Sequence, residues 1–270
     1  MAIIAAVGIV VVAAVVGAVV FATASTGSSP RALVVTPSTS AATNAAGTAP
    51  ATTSTTTTTV GTPSSCSPAS SLSDEPVGYQ VCGTAARNVG VPTFNAAVAD
   101  KTYTVTIKTN RGNVVFTAHG DAAPYTVFSF VYLVQKQYFD NTPCHRLTTT
   151  GIFVLQCGDP SGTGTGGPGY AFQDENLAAL GTPSASAGTV VYKAGTVAMA
   201  NAGPDTNGSQ FFLVYRDSPI TPNYTPFGTI TAGLGLLQQI AAAGTNNANS
   251  TGDGAPLESV QIQSVTVSAV

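Results

Sequence analysis

A single arginine, Arg146, stands among apolar and small neighbours in the run DNTPCHRL, and the strand-like FVLQ that follows brings Phe153, Val154 and Gln156. If Arg146 and Gln156 lie on paired strands, their guanidinium and carboxamide form a polar floor with Phe153 beside it. A later stretch, MANAGPDTNGSQFFLVY from Met199 to Tyr215, carries one charge, Asp205, and adds Gln210 and Phe212. Together these residues describe an apolar slot edged by one guanidinium and by amides. Core packing accounts for the phenylalanines but not for the concentration of amides. Such a slot suits a reaction that needs grip and one directed hydrogen-bond donor, with neither nucleophile nor base. Other chemistries find less support. No G-x-S-x-G occurs, and His119 and His145 are the only histidines; no C-x-x-C pair occurs either, which speaks against zinc. The run GTGTGG, Gly162 to Gly167, matches a dinucleotide-binding pattern formally, yet Pro168-Gly169 follows where the phosphate-binding helix must begin.

Short elements must position these groups. YTVTIKT alternates, NRGN supplies a turn and VVFTAH continues, which predicts a β-hairpin. Pro124 opens PYTVFSFVYLVQKQ, where Val127, Phe130, Val131 and Val134 share a helical face. IFVLQC, TVAMAN and QFFLVY read as strands, AGLGLLQQIAAAG as a second helix with Leu237, Ile240 and Ala241 inward and its end at Gly244, and ESVQIQSVTVSAV as a closing strand. Many strands, Gly/Pro-rich loops and two well-separated helices predict a mainly β fold: a closed antiparallel barrel with the helices outside.

The rest of the chain has another character. Of nine Lys and Arg, only Arg31 precedes Asp74, and all twelve Asp and Glu lie from Asp74 onward. The scattered cations give no footprint for nucleic acid. Residues 1–24 contain an uncharged apolar run, from Ala2, long enough to span a bilayer, and they predict a transmembrane anchor or a signal segment, with the small-residue site ATA at Ala22 to Ala24 fitting cleavage. Residues 25–65, rich in Ser, Thr, Ala and Pro, read as a disordered linker, and 66–99 as a cysteine-containing segment ahead of the folded domain 100–270. Behind an export segment, Cys66, Cys82, Cys144 and Cys157 predict disulfides. Proximity favours Cys66 with Cys82 and Cys144 with Cys157, among three possible connectivities.

CHRLTTTGIFVLQCGDPSGTGTGGPGYAFQDE, AGTVAMANAGPDTNGSQFFLVY and YTPFGTI, in this order, closely resemble the cyclophilin peptidyl-prolyl cis/trans isomerases, most of all the exported or membrane-tethered members of high-GC Gram-positive bacteria. The resemblance runs from about Lys101 to the C-terminus and implies an eight-stranded barrel capped by two helices, with no cofactor or metal. By position it implies Arg146 as the catalytic arginine, with Gln156 and Phe153 beside it. Val154, Ala200, Asn201, Ala202, Gln210, Phe212, Ile220 and Tyr224 are the implied substrate-binding residues. The implied partners are proline-containing polypeptides, met outside the cytoplasm at the membrane or after secretion. Cys144 replaces the usual Phe of the F-H-R motif, Val154 the usual Met. The position of the tryptophan that contacts cyclosporin falls at about Pro219, and the chain has no Trp, so cyclosporin binding is expected to be weakened.

Overall fold

Alternation shapes the first hairpin. In the computed structural model, which describes residues 78–270, Tyr103, Val105 and Ile107 are buried on one strand and Val114, Phe116 and Ala118 on the next, every second residue facing the core. Thr109 ties the turn, accepting at Oγ1 from the Arg111 amide and donating to the Gly112 carbonyl. Residues 1–77 lie outside the description. The predicted anchor or signal segment, the linker and Cys66 fall there, and among the described residues no helix is long and apolar enough to cross a membrane.

In chain order the elements are β1 Gln80–Val81, α1 Ala96–Ala99, β2 Thr102–Thr109, β3 Gly112–His119, α2 Pro124–Gln135, β4 Thr142–Pro143, β5 Arg146–Thr148 and β6 Val154–Cys157. There follow β7 Tyr170–Ala171, a 3-10 turn Leu177–Leu180, β8 Val190–Tyr192, β9 Thr196–Met199, β10 Phe211–Val214 and β11 Ser218–Ile220. The chain closes with β12 Pro226–Ala232, α3 Leu234–Ala243, β13 Asp253–Gly254 and β14 Gln261–Ala269.

The main sheet is a ten-stranded ladder in the order β13-β5-β6-β10-β9-β12-β3-β2-β14-β4, antiparallel at every pairing. Ten strands stand where eight were expected. The run Thr142–Thr148 counts as two, because Pro143 has no N–H to continue its pairing with β14 and the chain changes partner across Cys144 and His145. The Cys144 amide still donates to the Val260 carbonyl (2.9 Å) before β5 turns to β6. One continuous run therefore serves both ends of the ladder, with the short β13 added outside β5.

Both expected helices are present. Pro124 opens α2, but Ala123 offers no capping side chain; instead the Glu175 carboxylate, from a distant loop, accepts from the Tyr125 and Thr126 amides and the Thr126 hydroxyl. Burial pushes the Glu175 carboxyl above the usual carboxylate range in spite of these donors. Leu237 and Ile240 are the buried face of α3, which ends at Gly244 as expected. Aromatic rings fill the core: Phe130 packs on Phe116, Phe139, Phe211 and Phe227. A smaller apolar cluster of Val154, Tyr192, Phe212 and Ile220 lies under the site.

The segment before residue 100 is no loose stalk where it is described. Strand β1 pairs with β7, and Tyr79 packs against the rings of Tyr125, Phe128, Tyr170 and Phe172. Arg87 donates to the carbonyls of Gln137, Tyr138 and Asp140 beyond the end of α2, where the helix terminus favours a cation. A disulfide joins Cys144 to Cys157, one of the two bridges that proximity favoured. Cys82 is disulfide-bonded as well.

Candidate active site

Strand register delivers the central pair. Arg146 on β5 lies directly opposite Gln156 on β6, and Gln156 lies opposite Phe212 on β10. Side chains alternate along β6, so Val154 and Gln156 face one side while Leu155 joins the core. They border a pocket of about 130 Å³, lined further by Arg146, Ile152, Ala200, Asn201, Phe212, Ile220 and Tyr224.

A chain of hydrogen bonds fixes the polar edge. Arg146 donates from Nε (2.9 Å) and Nη2 (2.7 Å) to the two carboxylate oxygens of Asp253, a bidentate clamp. Its Nη1 donates to Gln156 Oε1 at 3.3 Å, Gln156 Nε2 to Gln210 Oε1 at 2.8 Å, and Gln210 Nε2 to the Gly164 and Gly166 carbonyls. The two carbonyls decide how both amides are turned. They can only accept, so Gln210 must present its nitrogen to them and its oxygen to Gln156, which in turn presents oxygen to the guanidinium. The glycine loop is held by Asp159, whose carboxylate accepts from the Ser161, Gly164 and Gly166 amides. A Cβ at Gly166 would stand 2.1 Å from Asp159 Oδ1, so only glycine fits.

The electrostatics keep Arg146 charged beside an ionised carboxylate. Hydrogen bonding to Asp253 pushes the Arg146 pKa upward, and the same bond holds Asp253 below the usual carboxylate range. Burial pulls His145 below the usual imidazole value, with Asp159 opposing and Arg146 reinforcing. Both ring nitrogens are buried, and neither has a hydrogen-bond partner among the described residues.

The pocket unites eight of the residues singled out from sequence: Arg146, Val154, Gln156, Ala200, Asn201, Phe212, Ile220 and Tyr224. Ala202 and Gln210 lie next to it, in a groove of about 450 Å³ that shares Gln156, Ala200 and Asn201 with the pocket. Phe153 is placed elsewhere. Its ring packs on Tyr215 and carries the Arg216 guanidinium 3.3 Å above its centre, while Ile152 takes the lining position expected of it. Phe153, just ahead of β6, is out of phase with Val154 and Gln156 and packs toward the main core with Leu155.

The amide-rich stretch also divides differently from its first reading. Asn201 and Asn207 donate to Asp174 Oδ1, and the Asp205 amide to its Oδ2, so these groups stake a loop to a half-buried carboxylate. Of the amide side chains there, Gln210 is the one wired to the arginine. Sequence reasoning missed Ile152 and Asp253. The first was legible in the two-residue period; the second lies 107 positions from Arg146 in a loop of Gly and Asn.

Comparison with known proteins agrees with this geometry. The family model described as cyclophilin type peptidyl-prolyl cis-trans isomerase/CLD matches residues 104–267. The probable peptidyl-prolyl cis-trans isomerase B of Mycobacterium tuberculosis is 49% identical over 185 residues, covering 65% of this chain and 56% of the relative. The chain thus spans little more than half the length of that curated relative. Peptidyl-prolyl cis-trans isomerase B of Streptomyces anulatus is 39% identical over 188 residues, 63% of this chain and 98% of its own. Among solved structures, a Cryptosporidium parvum cyclophilin type peptidyl-prolyl cis-trans isomerase superposes with a TM-score of 0.51 at 28% identity, covering 63% of this chain and 99% of that one. A second crystal structure of the same protein, in the presence of the dipeptide Ala-Pro, has a TM-score of 0.50.

Proposed function

The chain belongs to the cyclophilin type peptidyl-prolyl cis-trans isomerase family, and from this footing we propose that its folded domain accelerates rotation about X-Pro bonds, with Arg146 as the residue that stabilises the twisted amide. The observation that carries the proposal is the guanidinium, clamped on two nitrogens by Asp253 and on the third by Gln156, at the mouth of an apolar pocket of about 130 Å³.

Rotation of a peptide bond meets a barrier of about 18–20 kcal/mol because resonance must be lost. As the X-Pro bond twists, the prolyl nitrogen pyramidalises and its lone pair becomes available. An N–H of Arg146 aimed there gains a hydrogen bond only in the twisted state, so its stabilisation is selective for the transition state. Val154, Phe212, Ile220 and Ile152 hold the proline ring. Gln156 orients the guanidinium, and Gln210 fixes Gln156. The backbone of Ala200, Asn201 and Ala202 grips the residue before proline, so that one side of the bond stays fixed while the other turns. No bond to the enzyme forms and no proton is transferred.

The substrates in this reading are proline-containing chains met outside the cytoplasm, where the enzyme assists folding. Two features support that location: the apolar run within residues 1–24, and the absence of free cysteine among the described residues. Cyclosporin binds weakly in this reading, since the chain has no Trp.

The test is isomerisation of a short X-Pro peptide by the full chain, by Arg146→Ala, and by the full chain with cyclosporin. Loss of about 2 kcal/mol or more of transition-state stabilisation, a fall of at least roughly 30-fold in kcat/KM with the fold retained, is expected of the variant. Turnover by the variant equal to that of the parent would remove Arg146 from the mechanism.

A further inference from the structure

We propose that residues 78–99, which precede the family-matched region 104–267, form a wall of the substrate groove and set which side chain is accepted two positions before the proline. The inference rests on the isomerase reading above and extends it to a segment outside the family domain.

The groove of about 450 Å³ that adjoins the proline pocket has two sides of different origin. The loop between β9 and β10 supplies Ala202, Thr206 and Gly208, and the segment ahead of the family-matched region supplies Cys82, Gly83 and Thr84. Its inner end is shared with the proline pocket through Gln156, Ala200 and Asn201. A peptide whose proline occupies the small pocket, and whose preceding residue lies on Ala200 and Asn201, therefore sends its next residue back into this groove. Few large side chains stand on its walls, so the space is open to a side chain brought by the substrate.

The wall is rigid because it is fixed along its length. The Cys82 amide donates to the Gly169 carbonyl (3.0 Å) and the Ala86 amide to the Gly167 carbonyl (2.8 Å), two residues either side of Thr84. Gly169 lies so close that a Cβ there would stand 3.0 Å from Ala85 Cβ. Upstream, Gln80 and Val81 pair with Ala171 and Tyr170; downstream, Arg87 grips three carbonyls, the Tyr132 hydroxyl donates to the Val89 carbonyl, and Phe94 stacks on Tyr125 at 4.2 Å. Thr84 itself is exposed and makes no side-chain hydrogen bond among those described. It is thus a point at which the groove can be narrowed without cutting the segment's anchors.

The occupant is a large substrate side chain two residues before proline, for which leucine set against glycine is the probe. The experiment compares kcat/KM for Leu-Ala-Pro-Phe and Gly-Ala-Pro-Phe peptides, using the full chain and its Thr84→Trp and Thr84→Ala variants. The ratio of the leucine to the glycine peptide is expected to fall at least about fivefold in Thr84→Trp, where the indole fills the space, and not to fall in Thr84→Ala. A ratio within about twofold of the parent in the folded Trp variant overturns the proposal, as does an equal fall in both variants. Absence of turnover of either peptide by the parent chain would overturn the isomerase reading instead. The same ratio, read as peptide binding, then decides the role of the segment.

Discussion

The Arg146 side chain is directed by a carboxylate outside the proline pocket. Asp253 takes Nε and Nη2, so the guanidinium cannot swing about its long stem, and what faces the pocket is the Nη edge beside Gln156. Asp253→Asn keeps the shape and loses the charge. Charge-assisted hydrogen bonds are worth about 1.5–3 kcal/mol, so a fall of roughly tenfold in kcat/KM is expected, mostly in kcat, because the pocket that binds proline is untouched. The double variant with Arg146→Ala should lose no more than Arg146→Ala alone; losses that multiply would mean that Asp253 acts through the fold of its loop. The pH dependence has a fixed sign. The Asp253 carboxyl lies lower in the folded chain than unfolded, so its contribution is complete above the ordinary carboxylate range and disappears as pH falls through the lowered value. At this scale the sequence was legible where motif and register coincide, as at Arg146, Gln156, Phe212 and Ile220. It misled where motif alignment overrode parity, at Phe153. It was silent on Asp253, because a contact across 107 positions leaves no local periodicity.

At the scale of elements, the β5–β6 pair holds the site by only two register pairs, Arg146 with Gln156 and Leu147 with Leu155. The Cys144–Cys157 bridge extends this short ladder, its cysteines buried beside the core. A sequence separation of 13 corresponds to about 3 kcal/mol of stabilisation in the loop-entropy account. Cys144→Ala combined with Cys157→Ala should therefore lower Tm by roughly 6–12 °C. Asp253 still holds Arg146 in that variant, so kcat/KM well below Tm should fall by less than about threefold; a much larger fall would show that the bridge sets the site's geometry as well as its stability. The hairpin β2–β3 and both long helices were readable because period and punctuation agree in them. The break between β4 and β5 was not, since Pro143 marks a loss of pairing without saying which partner comes next. Nor was the cap of α2 visible: Glu175 reaches the Tyr125 amide from 50 positions away.

Across the whole molecule, mixed charge marks out the chain from Asp74 onward, and the family match a smaller part, residues 104–267. The segment of 78–99 falls between them, and its aromatic anchors Tyr79 and Phe94 give no periodic signal because each meets a ring from a distant part of the chain, Tyr170 on β7 and Tyr125 on α2. The run Thr142–Thr148, shared by both ends of the ladder, carries a consequence for a nascent chain leaving the ribosome. Strand β14 pairs with both β2 and β4, yet it is made after every other strand. Until Gln261–Ala269 emerges, the hairpin has one open edge, and the buried faces of Ile262 and Val265 are missing from the core. Non-local pairing of this kind is slow to form and leaves the chain exposed while it waits. A ribosome-bound chain halted just before Gln261 should be cut readily by protease within β2 and α2 and should not turn over X-Pro peptides. With β14 clear of the exit tunnel, protection and turnover should arrive together, so the domain stays open to proteases and chaperones until Gln261–Ala269 has emerged.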